Sequence, residues 1–523
     1  MKVDFLKKFS TQKKYIYPVI LSIFSIIINQ YYGYIGILPI DSFLIFNSGY
    51  DLLNGFYPFK DYWTIKEPFI DFLQALFFKT FGVSWFSYVF HASIFNCLIS
   101  LSTYFILRYF KLSVDVSFLY AFCVAALTYP TSGSPFSDHH ALIFCLLSLY
   151  LFFVALKTNN KLYWFLLPFL LGFSFLSKQA PTAYLIIVIS LLSLIYFIYK
   201  KDFSGLVYSI LGFTIFTTIF ITTLLFLKIE IIDFINQYFL FPQSLGATRL
   251  DWVFPLEFKR FVLRFKIHYI SIFFLFLILI RSTIRKRGGI KFEEVIIALS
   301  LIFTCLLFIF HQLMTINAIF IYCLIPIFFA FSQIYCENYY KKKFLKFFFI
   351  ASLLISSTYY FVKYVNSRAF MDLKSVDISK SVDAKKIDER LSGIKWITMF
   401  YPEHPDEEIE NINFALKILK NDNEKKMIIT DYQFISVFLE EYDYSVTRFW
   451  YDYHGYPSKD NKFFAYWKKF VIKKIKENEL KSIYVLNPLH GETNPLENIF
   501  GNCLKKKYFN KVFYKINIDN CSY

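Results

Sequence analysis

Long apolar segments recur along this sequence, and they constrain its fold more than any other feature. A helix needs about 20 mostly apolar residues to cross the hydrocarbon core of a bilayer. Windows of this kind recur between residues 16 and 364. The whole chain of 523 residues is 56% hydrophobic and 18% charged, which is too apolar for a soluble protein of this size. We therefore predict a polytopic α-helical membrane protein. The expected spans, about eleven, are 16–34, 84–107, 114–130, 138–156, 162–177, 181–199, 206–227, 267–281, 292–311, 314–335 and 345–363.

The net charge of +17 raises the question of a nucleic-acid partner, but the basic residues of the apolar region lie mainly in alternate loops. Positively charged loops mark the cytoplasmic side of a membrane protein. We therefore predict a multi-pass protein of the inner (plasma) membrane with a cytoplasmic N-terminus, membrane lipids as partners and no nucleic acid. The loops around residues 41, 131, 178 and 312 then face outward, as does the basic loop 228–266, and an odd number of spans places the C-terminus outside.

From about residue 365 the sequence becomes charged and lacks apolar runs of spanning length. The segments 425–432 and 481–488 are typical of short buried strands, and 463–477 is an amphipathic helix pattern. We predict two domains: a transmembrane domain over 1–364, with surface helices in its first outer loop, and an extracytoplasmic α/β domain over 365–523. Cys503 and Cys521 are candidates for a disulfide there, although spacing alone does not show that their side chains meet.

The first outer loop, residues 37–82, carries much ionisable chemistry between two apolar spans. Asp41 begins a segment with helical spacing of apolar residues, and a second such helix is predicted over 69–80. One interpretation makes Asp41 a helix N-cap and Lys66 an interfacial lysine that reaches the headgroups. The stretch between the two helices contains more polar groups than a cap needs, namely Asp61, Tyr62, Lys66 and Glu67. A cation beside carboxylates at a membrane face suits a lipid-phosphate substrate.

The next two outward turns repeat this pattern. The helix after "TYPTSGSPFS" begins with Asp138, His139 and His140, and the following outward turn contains Lys178 and Gln179. Ser137 or Asp138 could simply cap its helix, and adjacent histidines face different sides, which makes them a poor metal site. Ionisable groups at the outer end of a span are nevertheless costly unless they are used. Further polar or aromatic residues that could shape an acceptor site, or only pack, are His311, Gln312, Asn317 and the run 448–457.

These motifs resemble those of the GT-C membrane glycosyltransferases, which include protein O-mannosyltransferases and lipid A aminoarabinose transferases. The resemblance is carried by "ID" at the start of the first outer loop, by "GFYPFKDYWTIKEP", and by the acid that begins the helix of the second outer loop. It implies that Asp41 is the base acting on the acceptor hydroxyl and that Lys66 contacts the donor phosphate. Asp138 corresponds to the second-loop acid, Lys178 is a second phosphate contact, and Glu67 stands at a variable position that we include with the catalytic candidates.

The resemblance implies a glycosyltransferase that moves a sugar from a polyprenyl-phosphate donor to an acceptor hydroxyl on a glycan, lipid or protein, with inversion at the anomeric carbon. Accessory candidates are Asp61, Tyr62, His139, His140 and Gln179. The sequence indicates no cofactor, and it leaves a divalent metal open without indicating one. The alternatives are a transporter or flippase of lipid-linked sugars, a glycan polymerase or ligase, and a receptor. Transport sites usually lie near the bilayer midplane, whereas the ionisable residues here gather at the outer ends of spans.

Overall fold

A computed structural model describes residues 2–254, 257–284, 290–317, 319–340, 343–448, 455–486, 496–519 and 521. Among these residues, nine helices are long and apolar enough to cross a membrane. The protein is thus a multi-span helical membrane protein with a small C-terminal α/β region, as the sequence predicts. Two of the predicted spans are helical but are not among the nine. They are Lys161–Ser177, a shorter apolar helix of 17 residues, and Lys266–Ile284.

The helices are numbered in chain order. They are α1 (Lys2–Gly33), α2 (Pro39–Leu53), α3 (Pro68–Phe81), α4 (Trp85–Tyr109), α5 (Val114–Leu127), α6 (Ser137–Thr158), α7 (Lys161–Ser177), α8 (Gln179–Lys200), α9 (Ser204–Phe226), α10 (Ile231–Phe234), α11 (Phe241–Val253), α12 (Lys266–Ile284), α13 (Phe292–Met314), α14 (Leu324–Tyr340), α15 (Lys343–Tyr360), α16 (Pro405–Lys420), α17 (Ile435–Leu439), α18 (Phe464–Glu477) and α19 (Glu497–Phe500). Single π-helical turns occur at Ile235–Leu240, Lys259–Leu263 and Phe361–Asn366.

The chain divides into two compact units. The first contains Met1–Gly33, Val89–Ile219 and Arg249–Phe370, and the second contains Tyr34–Tyr88, Phe220–Thr248 and Met371–Tyr523. The sequence prediction assigns all of residues 1–364 to the membrane domain, whereas by its contacts the first loop groups with the C-terminal region. The predicted domains, 1–364 and 365–523, stay a prediction.

The second unit contains the strands. A two-stranded antiparallel sheet is formed by β1 (Val382–Asp383) and β2 (Lys395–Trp396). A four-stranded sheet has the order β3-β4-β6-β5, from β3 (Lys426–Thr430), β4 (Ser482–Leu486), β5 (Lys505–Tyr508) and β6 (Phe513–Asn517). β3 and β4 are parallel and fully buried, and the other two pairings are antiparallel. The two predicted strands and the predicted amphipathic helix, which is α18, are confirmed.

The first loop contributes to the core of the second unit. Trp63 is 0% exposed and packs against Phe241 of α11 and Phe470 of α18. Its backbone N–H donates to the carbonyl of Val446 over 2.8 Å. In α2, Phe43 packs against Phe434 with ring centroids 4.5 Å apart. A tryptophan buried this fully contributes several kcal/mol, about 3–5 on truncation to alanine, so the loop is a structural part of this unit.

The predicted disulfide is confirmed. Cys503 and Cys521 are bonded, with Cα atoms 5.4 Å apart, and they close a loop of sequence separation 18 beside β5 and β6. The chain-entropy model gives about 3 kcal/mol for a loop of this size, by restricting the unfolded chain.

Candidate active site

An ion pair at the start of α6 joins two of the predicted site residues. Asp138 lies in the first turn of α6, where Phe136 occupies the N-cap position, so Asp138 is not the cap of this helix. Lys178 lies in the extended turn between α7 and α8. Its Nζ is 2.5 Å from Oδ2 of Asp138, whose side chain is 7% exposed. Both residues belong to the first unit, and Gln179 follows as the half-buried first residue of α8.

Two further basic side chains lie within electrostatic range of this pair. His311, in the last turn of α13, is 3% exposed and is acted on by the charges of Lys178, Asp138 and Arg249. Burial lowers the pKa of Arg249, and the Asp138 carboxylate acts in the opposite direction. The cations Lys178 and Arg249 thus both interact with one carboxylate, and two cations of this kind can bind a phosphate.

Sequence reasoning missed Arg249. The signal that could have found it is the anomaly in the charge pattern, because 228–266 is the one basic loop that the topology prediction places on the outer side.

The two histidines after Asp138 take part in separate hydrogen-bond networks. His139 Nδ1 is 3.0 Å from Ser132 Oγ, whereas His140 pairs with Tyr129 through Nδ1 and with His91 through Nε2, 3.0 Å away. This agrees with the expectation that adjacent histidines face different sides of the helix. Both are fully buried, and these hydrogen bonds are made with the turn before α6 and with α4.

A buried arginine supports the turn that leads to Asp138. The guanidinium of Arg368, which is 1% exposed, donates to the carbonyls of Pro130 and Ser132 over 2.9 and 3.3 Å. Carbonyls of a buried turn need such donors. The backbone immediately before α6 is therefore held by a residue far away in the sequence.

In the second unit, Asp41 lies in the first turn of α2. The helix begins at Pro39 with Leu38 at the N-cap, two residues earlier than predicted. The alternative interpretation of Asp41 as the N-cap is therefore wrong, because the cap position is already taken. The side chain of Asp41 is half-buried.

Lys66 and Glu67 immediately precede α3, which begins at Pro68 and agrees with the predicted second helix. Glu67 is 3% exposed and has φ +65°, a left-handed conformation that residues other than glycine rarely adopt. Burial raises the pKa of Asp71, one turn into α3, well above its usual range, and the Glu67 carboxylate raises it further. Lys66 is half-buried.

The other two accessory candidates of the first loop have structural contacts. Asp61 Oδ2 accepts the backbone N–H of Tyr57 over 2.8 Å and closes a turn. The ring of Tyr62 faces the guanidinium of Arg448, 4.4 Å from its centroid. Arg448 is held between Asp51 and Asp443 at 2.7 and 2.8 Å.

This ion triad is fully desolvated. The side chains of Arg448 and Asp51 are 1% exposed and that of Asp443 is 8% exposed. Burial raises the pKa of Asp51 to about 7, although Arg448 acts in the opposite direction. Arg448 is the only described residue of the run 448–457 before residue 455, since 449–454 lie outside the described residues.

The structure thus brings Asp138 and Lys178 together in the first unit, with His311 and Arg249 near them. Asp41, Lys66 and Glu67 belong to the second unit. That these five predicted residues act together in one catalytic site, as the resemblance implies, stays a prediction. Within the described residues, no group of three or more His, Cys, Asp or Glu side chains is arranged to hold a metal ion.

Part of the chain matches a known protein family. Residues 66–226 match the family model described as dolichyl-phosphate-mannose-protein mannosyltransferase. The matched segment begins at Lys66 and contains Glu67, Asp138 and Lys178. No curated protein matches the chain. The predicted resemblance and the predicted enzyme class are confirmed.

Proposed function

We propose that this chain, which resembles the dolichyl-phosphate-mannose-protein mannosyltransferases over residues 66–226, transfers a sugar from a polyprenyl-phosphate donor to an acceptor hydroxyl with inversion, Asp41 acting as base. Lys66 and Lys178 bind the donor phosphate. Asp138 orients Lys178, and Glu67 is a supporting carboxylate beside Lys66. The acceptor is a hydroxyl of a glycan, lipid or protein on the extracytoplasmic side.

The proposed step is a single displacement. The Asp41 carboxylate removes the proton of the acceptor hydroxyl as its oxygen bonds to the anomeric carbon. The bond between that carbon and the phosphate oxygen breaks at the same time, and its electron pair leaves with the polyprenyl phosphate. A positioned general base contributes about 10²–10⁴-fold to such a rate. Fixed cations stabilise the negative charge that develops on the leaving phosphate.

The observation that carries this proposal is the ion pair of Lys178 with Asp138. A lysine side chain is flexible, and a carboxylate 2.5 Å from its ammonium holds the cation in one place. Arg249 is a second cation that interacts with the Asp138 carboxylate.

Lys66→Ala is the first test of the proposal. Removing a charge-assisted hydrogen bond costs about 1.5–3 kcal/mol, so we expect the KM for the polyprenyl-phosphate sugar to rise about tenfold or more, while the KM for the acceptor changes little. Lys60→Ala is the matched control, since Lys60 is a half-buried lysine of the same loop. Equal effects on both substrates, or no effect of Lys66→Ala, would contradict the assignment of the phosphate contact.

We also propose that the N-terminus is cytoplasmic and that the region after about residue 365 is extracytoplasmic. Contacts within the first unit agree with the grouping of these loops on one side, because Lys13 pairs with Asp115 at 2.8 Å and Lys157 with Glu294 at 2.9 Å. Cysteines introduced at positions 160 and 420 test it. In intact cells a membrane-impermeant thiol reagent should label position 420 and not position 160; equal labelling of both would refute the orientation.

A further inference from the structure

A buried glutamine holds the loop that carries Lys66. Gln237 lies in the π-helical turn Ile235–Leu240 and is 0% exposed. Its Nε2 donates to the carbonyl of Phe59 over 2.9 Å, and its Oε1 accepts the backbone N–H of Thr64 over 3.1 Å. One side-chain amide thus bridges two backbone groups of the first loop across five residues. Buried amides need such partners, so this geometry is strongly specified.

Thr64, whose backbone Gln237 binds, in turn forms a hydrogen bond with Lys66. The hydroxyl of Thr64 accepts the backbone N–H of Lys66 over 3.3 Å and lies 3.5 Å from its carbonyl oxygen. Glu67 follows in its left-handed conformation directly before Pro68, where the proline ring further restricts the backbone. Conformations of this kind persist only where the surrounding structure fixes them, and they occur preferentially at functional sites. Gln237 supplies such a constraint three residues before Glu67.

Residues in and directly before the π-helical turn also contact the side chain of Phe59. Phe59 has φ +70°, and its ring packs edge-on against Phe234 and Tyr238, with centroids 5.1 and 5.9 Å away. Phe234, Gln237 and Tyr238 therefore contact one short stretch of the first loop. Single π-helical turns are frequent at functional sites, where they redirect side chains. Here the side-chain amide of Gln237 lies between Phe234 and Tyr238 in the chain, and all three side chains contact the first loop.

We propose that Gln237 is a positioning residue for substrate binding: by bridging Phe59 and Thr64 it fixes the backbone that presents the Lys66 ammonium to the donor phosphate. This inference rests on the proposed phosphate contact of Lys66. A displacement of about 1 Å at a positioning group can cost about 10²-fold in activity. Gln237 itself does not touch the phosphate in this proposal, and its effect depends entirely on Lys66.

Two variants of Gln237 separate its hydrogen bonds. Gln237→Leu keeps a similar volume and removes both bonds. Gln237→Glu keeps an acceptor for the Thr64 N–H but, when ionised, places a carboxylate oxygen against the carbonyl of Phe59. The loss of phosphate-ligand binding in Gln237→Glu should be smaller at lower pH, because a protonated carboxyl can donate to that carbonyl. Gln243→Leu is the matched control, since Gln243 is exposed on the adjoining helix α11.

The probe is farnesyl phosphate, a short polyprenyl monophosphate, bound to the full-length protein in detergent, with farnesol as the phosphate-free comparison. We expect Gln237→Leu to weaken farnesyl phosphate binding about tenfold, Gln237→Glu to weaken it less, and neither to change farnesol binding. Lys66→Ala should also weaken binding, and the double variant Lys66→Ala/Gln237→Leu should bind no more weakly than Lys66→Ala alone. Such non-additivity identifies residues that act through one another.

Hydrogen exchange of the Thr64 amide provides a readout that does not depend on ligand binding, and it should accelerate in Gln237→Leu but not in Gln243→Leu. If Lys66→Ala weakens binding while both Gln237 variants bind normally, or if the two losses add in full, the positioning role is overturned and the proposed phosphate contact stands. If Lys66→Ala binds farnesyl phosphate as the unchanged protein does, the phosphate contact fails and the positioning role fails with it. If Gln237→Leu does not fold, the pH dependence of Gln237→Glu, taken relative to the unchanged protein, decides the question.

Discussion

Asp41→Asn is expected to lower sugar transfer from a polyprenyl-phosphate donor by about 10²-fold or more, with little effect on folding. Asparagine has nearly the same shape as aspartate but cannot accept the proton of the acceptor hydroxyl. Because α2 begins at Pro39 with Leu38 at the N-cap, the substitution removes no helix cap. The measurement is the rate of transfer at saturating donor and acceptor, where loss of a general base lowers kcat.

The control for Asp41→Asn is Asp406→Asn. Asp406 also lies in the first turn of a helix that begins with proline, and its side chain is 59% exposed in an ion pair with Lys386. The same charge is removed from a similar position, so transfer should stay within about twofold of normal, as expected for an exposed surface pair. A folded Asp41→Asn variant that transfers sugar at the full rate would show that another group is the base.

Arg448→Met is expected to produce the largest loss of stability. It leaves Asp51 and Asp443 buried without their cation, and breaking a buried pair in this way costs about 3–5 kcal/mol. It also removes the group that contacts the Tyr62 ring. At about 2–4 °C per kcal/mol for a domain of a few hundred residues, the unfolding midpoint of the second unit should fall by about 6 °C or more. The unfolding midpoint can be measured by tryptophan fluorescence, since Trp63, Trp396 and Trp467 are buried in this unit.

The pH dependence of this variant follows from Asp51. Its pKa is raised by burial to about 7 in the folded protein, compared with about 3.9 in an unfolded chain. In Arg448→Met the folded state keeps a proton on Asp51 that the unfolded state releases, so the free energy of unfolding of this variant falls as the pH rises above about 4. Arg448 is the group that opposes this shift. Without it, we expect the stability to fall more steeply with pH and to continue falling above pH 7.

Two comparisons decide whether the loss comes from the buried charges. Lys386→Met breaks the exposed pair with Asp406, and the midpoint should change little. Asp51→Asn combined with Arg448→Met removes one of the stranded carboxylates and should recover part of the loss. If Arg448→Met unfolds at the normal temperature, the triad is not a stabilising element of this unit.

The parts of the fold that follow a local pattern could be predicted from the sequence. Runs of apolar residues predict membrane-spanning helices, because a segment inside a bilayer must satisfy its own backbone hydrogen bonds and a helix does so. Helix α3, the strands β3 and β4 and helix α18 follow from hydrophobic periodicity. The segment that the sequence analysis begins at Asp41 starts two residues earlier, because Pro39 is tolerated as the first residue of a helix. Lys161–Ser177 was expected to span, but its 17 residues rise about 25 Å at 1.5 Å each, less than a typical hydrocarbon core.

The sequence by itself determined which residue types stand in the loops around residues 41, 131 and 178, and their resemblance to the GT-C glycosyltransferases indicated this enzyme class, with Asp41, Lys66, Asp138 and Lys178 as candidates. Only the tertiary structure decided which side chains meet: Lys178 with Asp138, Arg448 with Asp51, and Gln237 with Phe59 and Thr64. The reason is physical. Periodicity reports the environment of one segment, whereas an ion pair or a bridging amide depends on two segments, here 40 to 397 residues apart in the chain, being brought within about 3 Å by the packing of the whole unit.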